Sequence, residues 1–413
     1  MIKILRDNIA VIKNASFLSI IEVLNLITPF IALPYILSVV GIDNYGKIAF
    51  ARSIIAFVIL LVNWGIDVYI VREVSVNRDD KKRLGHILFS VVGIKLTLLI
   101  ISVLLLYILS FFIEFIQGEN ILMLCVLTDV LMHIFVPIWY FQGIEKMKYI
   151  TVLRFVNIAI YLPLLFLFVK NSCHYWRIPI FQNIGILVSI IFSLYIIFYR
   201  EKVVLSLPSV QFVRNIFVKS IPFFVSRLAN TFNVYVAKLM TGTYLSMDTV
   251  GMLDIAQKIV SVAVLPTGML NQAIYPHISR NRDIKELIFY KKAMISISII
   301  VCTCVFILSP IAVQYFLKNG DIIETVKITR ILCVYLIFAC LSPFLGTSVL
   351  VSFGYENPFN ISIVIASIFT IILYGIACIL HIHTIELYAS IICISEMVVF
   401  IVRYYYCKKF KLI

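Results

Sequence analysis

The chain of 413 residues is 62% hydrophobic and only 14% charged, with a mean hydropathy of +1.05 and a formal net charge of +14. A soluble domain is nearer half apolar and a quarter charged. The composition therefore excludes a soluble enzyme or a soluble binding module and describes a polytopic membrane protein.

Apolar runs of about 20 residues, the length a helix needs to cross the hydrocarbon core, recur at 17–40, 48–71, 86–113, 120–141, 151–169, 178–199, 217–241, 251–275, 291–317, 325–352, 358–380 and 384–406. The expected fold is all-α, with about twelve transmembrane helices. The connectors are too short for a separate soluble domain, so no catalytic domain is expected. The first run is longer than a signal-peptide core and no small-residue cleavage site follows it, so it reads as helix 1.

Basic residues gather in alternate connectors, at 3–13, 72–83, 146–154, 200–219, 280–292 and 403–411. That alternation follows the positive-inside rule and predicts cytoplasmic termini, with 114–119, 171–176 and 242–249 on the opposite face. It also accounts for the positive charge without nucleic acid, since no basic face is interleaved with stacking aromatics. The nine cysteines mostly fall inside spans and show neither a disulfide framework nor metal spacing. His381-x-His383 with Glu386 reads as a polar turn, and no metal or other cofactor is expected. The run Asp79-Asp80-Lys81-Lys82-Arg83 reads as a solvated loop.

An internal duplication organises the chain. Asp43, Gly46, Ala51 and Ile54 match Asp248, Gly251, Ala256 and Ile259 at a constant offset, which also places Glu22 over Arg227 and Asn25 over Asn230. Asn77-Arg78-Asp79 and Asn281-Arg282-Asp283 follow one residue out of step. Six helices per half make the repeats parallel, with a substrate site expected at their interface. The expected organisation is an amino-terminal lobe at 1–199, a cytoplasmic linker at 200–216 and a carboxy-terminal lobe at 217–413.

Seven cations, Arg52, Lys95, Arg227, Lys238, Lys258, Lys327 and Arg330, fall inside predicted spans. Charge in hydrocarbon is costly and faces a wet cavity or a partner. Lys327 sits near a span end and reads as a snorkelling anchor. The candidate cavity residues are Arg52, Arg227, Lys238, Lys258, Arg330, Asn63 and Asn230. Candidates for coupling or gating are Glu22, Asp67, Asp129 and His133. At 100° per residue Arg52, Asn63 and Asp67 share one stripe, Arg227, Thr231 and Lys238 a second, Asp254, Lys258 and Ser261 a third, and Asp129, His133 and Tyr140 a fourth. A cationic cavity in a membrane points to transport of anionic cargo.

Leu33-Pro34-Tyr35, Val40-Gly41 to Tyr45-Gly46, Asp67, Arg72-Glu73 and the stretch from Trp139 to Met147 resemble the pattern of bacterial polysaccharide and O-antigen flippases, as do Ile221-Pro222 and Tyr275-Pro276. Those proteins belong to the multidrug/oligosaccharidyl-lipid/polysaccharide exporter superfamily. The resemblance implies two six-helix lobes in a V around a cationic cavity, in the bacterial inner membrane. It implies as cargo an undecaprenyl-pyrophosphate-linked oligosaccharide, such as an O-antigen repeat unit, moved to the periplasmic leaflet by alternating access. Further implied partners are membrane lipid, a coupling proton or other ion, and a polysaccharide polymerase. The alternatives are a drug or cation antiporter of the same superfamily, whose cavity needs acidic or aromatic residues more than cations, and a membrane polymerase or ligase, whose long periplasmic loop has no counterpart here.

Overall fold

The computed structural model describes residues 2–281, 284–317 and 321–412, with the side chains of 2–16, 18, 19, 22, 26, 276, 281, 284 and 285 left aside. Fourteen α-helices run through the described residues, with no strand among them. In chain order they are α1 (Ile2–Asn63), α2 (Ile66–Val76), α3 (Lys81–Ser110), α4 (Glu114–Gly118), α5 (Asn120–Phe135), α6 (Ile138–Gly143), α7 (Met147–Phe168), α8 (Arg177–Tyr195), α9 (Val210–Tyr244), α10 (Met247–Asn281), α11 (Ile284–Phe316), α12 (Ile322–Pro343), α13 (Glu356–Ile379) and α14 (Ile385–Lys409). Only helices and closed barrels satisfy every backbone group in lipid, so the all-helical outcome follows from the hydropathy.

Ten helical stretches among the described residues are long and apolar enough to cross a membrane, and the protein is a multi-pass membrane protein. The first of them, Val23–Val76, has 54 residues, more than one crossing needs. Helix α9 is long enough but less apolar, carrying Arg227, Asn230 and Asn233 in its middle, and it is not in that set. Large apolar side chains stand exposed along α3 and α11, including Ile100, Leu104, Tyr107, Ile307 and Ile311. Surface of that kind, on helices of membrane-spanning length, suits lipid.

The chain divides into two compact units, one of Met1–Gly41 with Ile54–Leu228, the other of Ile42–Ser53 with Ala229–Ile413. In the first, α2 and α3 pack with the Trp139-Tyr140-Phe141 stretch, all buried around Ile66, Ile70, Val74, Leu84 and Ile87. Asp80 caps α3, accepting from the backbone N–H groups of Lys82 and Arg83 at 3.0 and 2.9 Å, so Lys81–Arg83, expected in a loop, instead form the first turn of the helix. Part of the 200–216 segment is fastened to this unit. Val204 N–H donates to the Lys81 carbonyl at 3.3 Å, the Ser206 hydroxyl donates to the Lys82 carbonyl at 3.2 Å, and Glu201 pairs with Lys146 and Lys81.

Two breaks in this unit change the helical stripes read from the sequence. Trp64 and Gly65 take positive φ angles of 45° and 67° and separate α1 from α2. A Cβ at Gly65 would lie 2.6 Å from the Phe224 backbone nitrogen, so both the conformation and the space call for glycine. The stripe of Arg52, Asn63 and Asp67 assumed one straight helix and is therefore divided. Asn63 ends α1, Asp67 lies in α2, and Arg52 belongs to the second unit. Likewise Val136 and Pro137 interrupt the fourth predicted span, so Asp129 and His133 ride on α5 while Tyr140 is buried in α6.

In the second unit α12 packs against α10, α11 and α14. Beyond Pro343 the chain continues as a π-helical segment, Phe344–Val351. Its wide turn is held by Asn271 of α10, which donates to the Thr347 hydroxyl at 2.8 Å and accepts from the Ser348 hydroxyl at 2.5 Å. Wide turns of this kind recur beside functional sites because they re-aim side chains within a helix.

Candidate functional site

A cavity of about 830 Å³ lies within the second unit. Its walls come from the Ile42–Ser53 segment of α1 and from α9, α10, α12, α13 and α14. The volume is in the range of small-ligand sites. Four of the seven candidate cavity residues, Arg52, Asn230, Lys238 and Lys258, are brought together on its wall, along with Asp254 and Ser261.

At the cationic end the buried carboxylate of Asp254 is shared. Lys238 Nζ lies 2.5 Å from Asp254 Oδ1 and Lys258 Nζ 2.6 Å from Asp254 Oδ2. The Tyr45 hydroxyl donates to Asp254 Oδ2 and accepts from Lys258 Nζ, tying the 42–53 segment to α10. Lys258 also lies over the Tyr45 ring, 5.0 Å from its centre. The i, i+4 spacing of Asp254 and Lys258 makes them neighbours on one face of α10. Lys238 reaches the same carboxylate from α9. Two ammonium groups on one carboxylate leave a net positive site, and half-buried Arg52 adds to it.

The opposite end is built from residues that the sequence reading passed over. Arg403 was grouped with the cytoplasmic cations because it lies close to Lys408 and Lys409. It is instead 5% exposed, donating to the Ser342 carbonyl at 2.8 Å, the Ser342 hydroxyl at 2.9 Å and the Ser362 hydroxyl at 3.0 Å, over the face of Phe359. Glu396 lies in the field of Arg403 and shares a hydrogen bond with Ser342. Asn233 Oδ1, buried and with no hydrogen-bond partner among the described residues, also lines the cavity. A buried acceptor left unpaired costs about 1–3 kcal/mol. The lining carries four cations, Arg52, Lys238, Lys258 and Arg403, against two carboxylates, Asp254 and Glu396.

The other candidates lie elsewhere. Arg330 is exposed on α12, its guanidinium over the Phe306 ring at 4.9 Å, and is not on the cavity wall. Arg227 is exposed on α9, eleven residues or about 16 Å along the axis from Lys238, and belongs to the first unit. Lys327 pairs with Glu386 at 2.6 Å. His383 shares a hydrogen bond with Tyr388 at 2.8 Å and stacks on Tyr244, so the His381–Glu386 turn is held by local contacts. The side chain of Glu22 lies outside the described residues, as do Arg282 and Asp283 of the second repeat's motif.

The first unit gathers a second polar group inside its spans. Lys95, 1% exposed, bonds Asp67 at 2.7 Å. Asn183 donates to Asp129 and to the Thr128 hydroxyl, both at 2.6 Å, and Arg154 donates to Asn25 at 2.6 Å. His133, one turn beyond Asp129, lies in the field of Asp129, Lys95, Asp67 and Arg154. Three of the four coupling candidates, Asp67, Asp129 and His133, thus share one neighbourhood. In that neighbourhood Lys95 is a partner to a carboxylate rather than a cation awaiting cargo.

The family model described as "Polysaccharide biosynthesis protein" matches residues 11–282, about two thirds of the chain. The chain belongs to the polysaccharide biosynthesis protein family. Among curated proteins, a "Putative O-antigen transporter" of Escherichia coli (strain K12) is 24% identical over 294 residues, 70% of each chain. A protein of the same name from Shigella dysenteriae is 23% identical over 276 residues, 65% of this chain and 67% of that one. Among solved structures, lipid II flippase MurJ in an inward closed conformation aligns with a TM-score of 0.71 at 16% identity, covering 96% of this chain and 87% of that one. An inward-facing multidrug resistance MATE family transporter aligns with a TM-score of 0.70 at 14% identity, covering 93% and 97%. At such identities the structural likeness shows the fold alone, here carried by a member of the polysaccharide biosynthesis protein family.

Proposed function

We propose that this chain is a flippase that moves an undecaprenyl-pyrophosphate-linked oligosaccharide, an O-antigen unit or a similar one, from the cytoplasmic to the periplasmic leaflet of the bacterial inner membrane. The observation that carries this reading is the cavity around Arg52, Lys238 and Lys258, an anion-attracting chamber among membrane helices, in a member of a polysaccharide biosynthesis family. A sugar diphosphate is large, polar and anionic. It needs a roomy hydrated chamber with cations, while its polyprenyl tail stays in lipid. Arg52 offers a planar fork for paired charge-assisted bonds to phosphate, and the lysines act as point charges. The hydroxyl and amide groups of the remaining wall suit sugar hydroxyls.

A cation antiporter would use the two carboxylates, but each is already committed. Asp254 is held by two lysines, and Glu396 sits with Arg403 and Ser342. The excess of cations favours anionic cargo. In this reading the protein moves its cargo without making or breaking bonds in it. Lobes of six helices, 1–199 and 217–413, exchange access through the linker at 200–216, with both termini cytoplasmic. The polar group of Asp67, Asp129 and His133 is the place at which a proton or other ion couples to that exchange.

Deleting the gene in its host, with no substitute flippase present, tests the proposal. Undecaprenyl-linked oligosaccharide should accumulate on the cytoplasmic leaflet while surface polysaccharide falls. Unchanged surface polymer would contradict it.

A further inference from the structure

The cationic end of the cavity is already occupied by an anion of the protein's own. Asp254 is 6% exposed and holds Lys238 and Lys258 through its two oxygens, and the Tyr45 hydroxyl joins this knot from outside α9 and α10. Tyr45 belongs to the 42–53 segment, which packs unusually closely on α10. A Cβ on Gly46 would lie 1.7 Å from the Met247 carbonyl oxygen, and one on Gly251 would lie 2.9 Å from the Ile42 carbonyl oxygen. Ile48, Phe50 and Ala51 of the segment are buried, and to this packing the knot adds a polar fastening that depends on one carboxylate. Any stronger or more highly charged anion that reaches the lysines competes with it.

We propose that Asp254 is an exchangeable counter-ion, displaced from Lys238 and Lys258 by the diphosphate of the cargo, and that this exchange loosens the hold of Tyr45 and with it the packing of the 42–53 segment on α10. The proposal rests on the flippase reading and adds to it the event by which cargo binding is sensed. The resident carboxylate answers two needs at once. It keeps two buried ammonium groups paired when no cargo is bound, since leaving them unpaired is strongly destabilising. It also makes the bound and unbound states differ at a structural joint, because a ligand shifts an equilibrium only through a difference in affinity for the two states. Asp254 is a positioning residue here, acting on cargo through the lysines.

The test uses the full-length protein in lipid nanodiscs carrying Ala51→Cys, a small replacement at a fully buried position of the segment. Inorganic pyrophosphate is the probe. Binding is followed by calorimetry, and alkylation of residue 51 by peptide mass spectrometry. Pyrophosphate should speed alkylation severalfold. Asp254→Asn should bind pyrophosphate about tenfold more tightly, a modest share of what a close charge pair is worth, and should be alkylated rapidly with or without it. Asp254→Glu should restore the parent pattern, a rescue that a purely structural carboxylate would not give in the pyrophosphate response. Tyr45→Phe should be alkylated rapidly and should bind pyrophosphate more tightly than the parent, because loosening and binding are coupled. If pyrophosphate binds the parent and Asp254→Asn equally and alkylation stays flat, the exchange is refuted while the cationic cargo site stands. If pyrophosphate binds neither, the cargo site itself fails. Should Asp254→Asn not fold, the pyrophosphate dependence of alkylation in the parent decides, a rise supporting the exchange and a flat response overturning it.

Discussion

Charge inside a membrane is read by its partner. Lys95 and Asp67 sit at 2.7 Å with the lysine 1% exposed, so truncating either one strands the other. Lys95→Ala and Asp67→Ala should each cost about 3–5 kcal/mol. Both should lower membrane abundance and the unfolding temperature in detergent, and the double variant should recover much of the loss. A double variant that loses the sum of the two single losses would show that the pair is not the cause. Arg52 belongs to a different case, since it lines the cavity. Arg52→Ala should abolish most oligosaccharide export at normal abundance, and Arg52→Lys should retain an intermediate level because the charge stays while the fork is lost. Full export by Arg52→Ala would remove Arg52 from the cargo site. Arg227 marks the limit of what sequence alone conveyed. It shares an α9 face with Lys238, as the spacing indicated, yet it stands exposed in the first unit. Helical period assigns a face but not what that face meets.

Among the elements, the crossing of α1 and α10 is the most constrained. Gly46 and Gly251, matched by the internal repeat, face one another there, the Cβ position of Gly251 lying 3.6 Å from the Gly46 Cα. Such small residues let helix backbones approach in a membrane. Gly46→Leu should lower the unfolding temperature by an amount corresponding to at least about 1–3 kcal/mol of overpacking, whereas Gly93→Leu, with open space around it, should be neutral. A neutral Gly46→Leu would mean the crossing is loose. The stretches of apolar sequence located the helices well, because the bilayer dictates their length and composition. The breaks at Trp64–Gly65 and Val136–Pro137 were less legible, since a lone Gly or Pro within an apolar run is compatible with a continuous kinked helix. Arg403 and Glu396 were missed for a related reason. They lie close to the basic carboxy-terminal end in sequence, and only the packing of Ser342 and Ser362 around Arg403 reveals a buried site. Nothing local to Tyr45 announces its partner, which lies more than two hundred residues away in sequence.

For the whole molecule, the ten apolar helical stretches among the described residues and the family match carry the class, while the charge of the connectors predicts cytoplasmic termini. Cysteine labelling of intact cells should reach positions in 114–119, 171–176 and 242–249 and spare 78–83. Labelling of Arg78→Cys from outside would reverse the topology. The central claim, that the cationic cavity carries a lipid-linked sugar diphosphate across the membrane, is tested most directly with purified protein in vesicles containing undecaprenyl-pyrophosphate-linked oligosaccharide, by following the exposure of sugar to an added lectin. The wild-type protein should bring inner-leaflet sugar to the outer face, and the triple variant Arg52→Ala, Lys238→Ala, Lys258→Ala, once shown to be folded and inserted, should not. Translocation by the triple variant at the wild-type rate, or none by the wild-type protein, would contradict the account.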